Sequence, residues 1–155
     1  MSQLAETPSA ERPLRVGAFL DPPSTSLVAR LLLVLVSLTG ASWVAGAVIP
    51  YYVNDIDALS TSEVGSGAHD PKEMWPVTAG LAGELLHTLA VLAVLAGPFF
   101  CATVAAWAVL NLLGRWSVVP RATRISYLFT LLLSVATAVA IVSSFGQDVT
   151  AWLLD

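Results

Sequence analysis

Three long apolar runs constrain what this chain can fold into more than any other feature of its sequence. They cover residues 27–49, 77–113 and 125–145 and contain only two charged side chains, Arg30 and Glu84. A helix needs about 20 apolar residues to cross a hydrocarbon layer about 30 Å thick, and each run reaches that length. The runs therefore predict an all-α integral membrane protein with three transmembrane helices.

The segments outside the runs are polar and short. Only 12% of the 155 residues are charged, and no connecting segment is long enough to bury a hydrophobic core of its own. Residues 1–26 combine prolines, charges and small polar side chains, which predicts a flexible cytoplasmic tail. We expect an acidic extracytoplasmic loop at 50–76, a basic cytoplasmic loop at 114–124 and a short extracytoplasmic tail at 146–155.

The first run is predicted to form transmembrane helix 1 over residues 27–49. Hydroxyl side chains at 24–26 are suitable N-caps, and Pro50 marks the expected end because proline cannot continue a helix. A second interpretation is a signal peptide cleaved after the small residues 45–47. The apolar run continues past these residues, which favours an uncleaved anchor.

The second run is too long for one ordinary span. Residues 77–113 as a straight helix would measure about 55 Å. A hairpin at Gly97 and Pro98 would leave too few residues in its second half to cross and would move the basic loop outside. We therefore expect one long transmembrane helix 2, kinked or tilted at Pro98, whose first turns project outward. The third run, 125–145, predicts a helix 3 of ordinary length.

The arginines indicate the orientation, because short loops rich in Lys and Arg stay on the cytoplasmic side. Lys72 is the only Lys or Arg in the predicted loop between helices 1 and 2. We predict a cytoplasmic N-terminus, an extracytoplasmic C-terminus and, from a composition typical of GC-rich bacterial genomes, a bacterial plasma membrane. The basic inner loop can rest against anionic lipid headgroups. The topology-determining residues are Arg30, Arg115, Arg121 and Arg124.

Glu84 and His87 form the one constellation with chemical potential. Their spacing puts both side chains on one helix face, and paired Glu-x-x-His motifs occur in carboxylate metal sites. The chain has one such pair and a single cysteine, so we predict no metal site. Glu84 and His87 are candidate cofactor-binding residues near a quinone or proton path; the alternatives are a structural pair, a solvated face or a partner contact.

Small residues recur four positions apart in each apolar run. Such spacing lets helix backbones approach closely inside a membrane, where packing rather than water drives association. The spacing is equally compatible with packing between helices of this chain and with packing against helices of a partner. The predicted helix-packing residues are Ser42, Gly46, Ala79, Gly83, Ala136 and Ala140.

No sequence motif of a known catalytic type is present, so we do not expect an enzyme. The leading hypothesis is a small non-catalytic accessory, assembly or stabilising subunit of a larger membrane complex. Its expected partners are membrane lipids and other integral membrane proteins, with no nucleic acid. The second hypothesis is an electron- or proton-transfer anchor subunit that uses Glu84 and His87. A homo-oligomeric channel would need polar pore-lining faces, which the runs scarcely supply.

Overall fold

The computed structural model describes residues 25–64 and 69–154. In this part of the chain every regular element is a helix, and three helices are long and apolar enough to span a membrane. We refer to Ser26–Val53, Leu81–Arg115 and Arg121–Val142 as the first, second and third spans. The predicted all-α fold with three membrane-spanning helices is confirmed. The expected tail at 1–26 lies almost wholly outside the described residues.

The first span continues past Pro50. Helix α1 (Thr25–Trp43) passes into a π-helical turn (Val44–Val48) and then into α2 (Ile49–Val53). Within this turn the Ile49 N–H donates to the Val44 carbonyl five residues earlier, so the helix is locally widened. Widening just before Pro50 makes room for a ring that would otherwise clash with the preceding turn. The helix therefore extends beyond the end expected at residue 49.

The acidic connection between the first two spans is a chain of short turns. It contains the 3-10 turns Ile56–Ala58, Pro71–Glu73 and Val77–Ala79 and the single helical turn α3 (Thr61–Val64). Gly80 follows with φ +89°, a left-handed conformation that suits glycine. Because this backbone breaks the helix, the second span begins at Leu81 rather than at residue 77.

The second span is one uninterrupted α-helix, α4 (Leu81–Arg115), of 35 residues. At 1.5 Å per residue it is about 52 Å long, as expected for the longest of the three helices. Pro98 lies inside α4. The α-helix continues on both sides of this proline, and the kink anticipated there is not confirmed.

The third span, α5 (Arg121–Val142), is followed directly by a short helix, α6 (Ser144–Leu153). Ser143 separates them with extended backbone, and its hydroxyl accepts a hydrogen bond of 3.1 Å from the Gly146 N–H. This N-cap begins a second helix. The tail expected at 146–155 is thus mostly helical, and it buries Val149, Trp152 and Leu153.

The three spans pack side by side, and each contacts the other two. Ala29 near the start of α1, Leu112 near the end of α4 and Tyr127 near the start of α5 share one buried cluster. At the other end Trp43, Ala90 and Ile141 pack together with Trp152 of α6. Helices α1 and α5 therefore run parallel, and α4 runs antiparallel to both.

The outer surface of this bundle is apolar. Only 22% to 33% of the most hydrophobic window of each span is buried inside the described structure. Leu81 is 83% exposed, and Phe99 and Leu113 are each 78% exposed. Such a surface would be unfavourable in water, whereas lipid covers it without cost. These features describe a multi-pass membrane protein.

Candidate functional site

Opposite charges collect at the two ends of the bundle. Because Ala29, Leu112 and Tyr127 are in one cluster, the four arginines beside them, Arg30, Arg115, Arg121 and Arg124, lie at the same end. We call this the arginine end. In the described residues no acidic side chain lies there. The opposite, acidic end holds Lys72 and the following carboxylates: Asp55, Asp57, Glu63, Asp70, Glu73, Glu84 and Asp148.

Arg124 is held in place by two contacts. Its Nε donates a 3.0 Å hydrogen bond to the Val119 carbonyl in the connection between α4 and α5. Its guanidinium also lies 5.1 Å from the centre of the Trp116 ring, within the range of a cation–π contact. Arg124 therefore has a defined position, while Arg30, Arg115 and Arg121 are exposed.

The acidic end is covered by an aromatic cap. The ring of Tyr51 makes edge-on contacts with Tyr52, Phe145 and Trp152, at centroid distances of 5.7, 6.2 and 5.8 Å. Trp152 is fully buried, and its Nε1 donates a 3.2 Å hydrogen bond to the His69 carbonyl. Helix α6 thus ties the acidic connection to the end of the first span.

Two polar contacts organise the connection itself. The Asn54 side chain donates to the Pro50 carbonyl at 2.8 Å and to the Trp75 carbonyl at 2.9 Å, joining the end of the first span to the later part of the connection. Glu63 accepts hydrogen bonds from the Ser60 N–H at 2.8 Å and from the Ser60 hydroxyl at 2.6 Å. These bonds favour the charged carboxylate and lower the pKa of Glu63.

Glu84 and His87 do not form a bonded pair. Glu84 is exposed in the first turn of α4, and His87 is half-buried one turn later. Across the described residues no hydrogen bond or ion pair connects their side chains, and no group of three potential metal ligands occurs. Both side chains lie at the acidic end, and Lys72 and Asp70 of the connection lie near enough to His87 to interact with it electrostatically.

The predicted helix-packing residues differ in what they contact. Gly46 marks the closest approach of the first span to α4, since an added Cβ would lie 2.5 Å from the Leu86 carbonyl oxygen and 2.8 Å from the Ala90 Cβ. Gly83 lies against the Pro76 carbonyl. Ala79 is exposed in a 3-10 turn before Gly80, so pairing it with Gly83 on one helix was wrong.

The remaining small residues line grooves on the apolar surface. Ser42 lines a groove of about 310 Å³ between α1 and α4, together with Leu38 and Gly97. Ala136 and Ala140 line a groove of about 360 Å³ between α1 and α5, which we call the α1–α5 groove. Its lining residues are Ser37, Gly40, Ala41, Trp43, Val44, Leu133, Ala136, Thr137 and Ala140.

Two side chains that line the α1–α5 groove have unpaired donors. Trp43 is 6% exposed, and its buried Nε1 has no hydrogen-bond partner within the described chain. Thr137 is 7% exposed, and an added Cβ on Gly40 would lie 3.2 Å from its Oγ1. Thr39 and Thr130 donate to the carbonyl four residues earlier, at 3.0 and 2.8 Å. Among the residues described, Thr137 has no such bond.

The buried face of α5 is a stripe of hydroxyl-bearing residues that the predicted sites do not include. Its members are spaced alternately four and three residues apart, the spacing of a helix seam. Ser134 is fully buried, and its Oγ lacks a partner in the described structure. The 4-3 spacing itself could have revealed the stripe. It consists of Thr123, Tyr127, Thr130, Ser134 and Thr137.

Comparisons of the chain with protein-family models, with curated proteins and with solved structures give no match. The candidate sites therefore rest on the chain's own geometry. They are the α1–α5 groove, the Glu84 and His87 region at the acidic end, and the fixed Arg124 at the arginine end.

Proposed function

We propose that this chain is a small, non-catalytic accessory, assembly or stabilising subunit that binds another integral membrane protein through the α1–α5 groove. The observation that carries the proposal is the floor of small residues, among them Gly40, Ala136 and Ala140, along an open groove on the apolar surface. A transmembrane helix can approach such a floor closely and gain van der Waals contact. The hydroxyl of Thr137, which makes no hydrogen bond within the described residues, can also donate to an acceptor on that helix.

The proposal includes an orientation. The arginine end faces the cytoplasm of a bacterial plasma membrane, and the acidic, aromatic end faces outward, with the N-terminus inside and the C-terminus outside. The separation of charge between the two ends supports this arrangement under the positive-inside rule. Retention of the first span also belongs to the proposal, because Gly46 and Ala47 are buried against other helices.

Photocrosslinking tests the groove. A benzophenone amino acid replaces Ala136 in the groove or Val135, which is 48% exposed, is not part of the groove lining and lies about 100° away around the same helix. After crosslinking in cells and purification in mild detergent, mass spectrometry identifies the adducts. We expect a protein adduct from position 136 and far less from position 135.

A packing variant provides the second arm of this test. Ala136→Leu fills the groove, whereas Ala106→Leu makes the same change at an exposed position of α4 outside it. We expect only Ala136→Leu to release the co-purifying protein. Recovery of the unsubstituted chain as a free monomer, or equal release by both variants, would contradict the proposal.

A second candidate function is that of an electron- or proton-transfer anchor subunit, and the exposed carboxylate of Glu84 one turn from the half-buried His87 favours it. The purified complex should then show a cofactor absorbance spectrum, and Glu84→Gln and His87→Ala should each reduce its activity. Full activity in both variants removes this candidate and leaves the accessory role standing.

A further inference from the structure

The arginine end carries a groove that the proposed protein contact does not use. It has a volume of about 320 Å³, lies between the end of α4 and the third span, and opens to the outside of the bundle. We call it the arginine-end groove. It is lined by Val109, Leu112, Leu113, Trp116 and Leu131.

This groove is joined to a fixed cation through Trp116. Trp116 forms part of the lining, and its ring lies 5.1 Å from the Arg124 guanidinium. Leu131 follows Arg124 by seven residues, two helical turns, so both lie on one face of α5 about 10 Å apart along the helix. One end of the apolar arginine-end groove therefore lies close to the positively charged Arg124 guanidinium.

Arg124 is prepared to bind an anion. The hydrogen bond from Nε to the Val119 carbonyl and the contact with Trp116 fix the plane of the guanidinium. In the described structure the Nη groups have no partner, so they can bind two oxygens of a phosphate. Because the guanidinium is already positioned, binding would cost little side-chain entropy.

The surroundings of Arg124 add positive potential. Arg121 lies one turn earlier on the same helix, and Arg115 is next to Trp116 at the end of α4. Pro120 supplies no side-chain cap to α5, and the first turn of this helix contains no acidic residue. The positive end of the helix dipole is therefore uncompensated at the same place.

We propose that the arginine-end groove binds one anionic phospholipid, such as phosphatidylglycerol, from the leaflet at this end. The phosphate contacts Arg124, with Arg121 and Arg115 nearby, and one acyl chain lies along Leu112, Leu113 and Leu131. The charge at this end selects an anionic headgroup over a zwitterionic one. The apolar groove selects a lipid over a free phosphate, because a soluble anion leaves the groove unfilled.

Native mass spectrometry of the full chain in mild detergent tests this site. The probes are phosphatidylglycerol, phosphatidylcholine with the same acyl chains, and glycerol 3-phosphate, which has the phosphate without the chains. We expect phosphatidylglycerol to bind at least about fivefold more tightly than phosphatidylcholine, the effect of roughly one basic residue at a lipid surface. Glycerol 3-phosphate should not displace it at equal concentration.

Variants locate the site. Arg124→Gln should weaken phosphatidylglycerol binding about fivefold. Arg124→Lys, which keeps the charge but loses the planar fork, should weaken it less. Lys72→Gln removes one positive charge at the acidic end and should leave binding unchanged. Size-exclusion chromatography checks that each variant remains folded, and the comparison of probes on the unsubstituted chain needs no variant.

Three results would overturn the proposal. Equal binding of the two lipids would show that charge does not select the ligand. Displacement by glycerol 3-phosphate would show a free-anion site without a role for the groove. Unchanged binding in Arg124→Gln, or an equal loss in Lys72→Gln, would place the lipid elsewhere. None of these results bears on whether a protein occupies the α1–α5 groove.

Discussion

Replacing Gly46 tests how the first two spans are held together. In Gly46→Ala the new Cβ would lie 2.5 Å from the Leu86 carbonyl oxygen and 2.8 Å from the Ala90 Cβ. Carbon atoms in contact prefer about 3.5 to 4.0 Å, so the helices must separate locally by roughly 1 Å. Neither contact is with a flexible side chain that could swing away, because one partner is backbone and the other is a Cβ.

The expected loss of stability is about 1 to 3 kcal/mol, the usual cost of overpacking a filled interior. This corresponds to an unfolding equilibrium shifted roughly 5- to 150-fold, since 1.4 kcal/mol is a factor of ten. The loss is smaller if alanine's better helix propensity offsets part of it. The assay is reversible unfolding in mixed detergent micelles, followed by circular dichroism and by tryptophan fluorescence, because Trp43 and Trp152 share the cluster beside Gly46.

Gly114→Ala is the matched control. Gly114 lies near the end of α4, and an added Cβ there would meet nothing within 4 Å. We expect this variant to be as stable as the unsubstituted chain or slightly more stable. Equal stability of Gly46→Ala and Gly114→Ala would refute the close approach of the two helices at Gly46.

Three further predictions concern the acidic end. Trp152→Phe removes the hydrogen bond to the His69 carbonyl while keeping most of the buried ring. We expect faster hydrogen exchange in residues 69–79 and a free energy of unfolding lower by about 1 kcal/mol. Unchanged exchange would contradict the role of Trp152 in the aromatic cap. Asn54→Ala removes both bonds of that side chain and should likewise increase exchange near Trp75, whereas Asp57→Ala, an exposed neighbour, should not. The lowered pKa of Glu63 means that its hydrogen bonds from Ser60 contribute fully to stability at neutral pH, and this contribution is lost as pH falls through that pKa. Carboxyl NMR should give a midpoint below that of a glutamate in an unstructured peptide, and an ordinary midpoint would contradict these hydrogen bonds.

The three spans could be predicted because length and apolar composition alone decide whether a helix crosses a membrane. Their boundaries could not, since they depend on local backbone states. A π-helical turn lets the first span continue through Pro50, and the positive φ of Gly80 moves the start of the second span to Leu81. The N-cap at Ser143 has the hydroxyl that a helix start requires, but Ser143 and Ser144 are equally suitable caps in the sequence.

The candidate sites were only partly predictable. Spacing identified Gly46 as a packing residue and Ala136 and Ala140 as a small-residue pair, but it could not say that the first is buried against α4 while the pair lines an open groove. That difference depends on how three helices rotate against one another. Arg124 was predicted for its charge, and its contact with Trp116 required the turn between α4 and α5.

Cysteine labelling in intact cells tests the central claim, a lipid-embedded bundle with its arginine end inside. In a Cys101→Ser background, Val118→Cys places a thiol at the arginine end, where Val118 is 83% exposed, and Glu73→Cys places one at the acidic end. With a membrane-impermeant maleimide, we expect position 73 to react in intact cells and position 118 only after permeabilisation. Reaction of position 118 in intact cells, or recovery of the chain in the soluble fraction without detergent, would contradict the account.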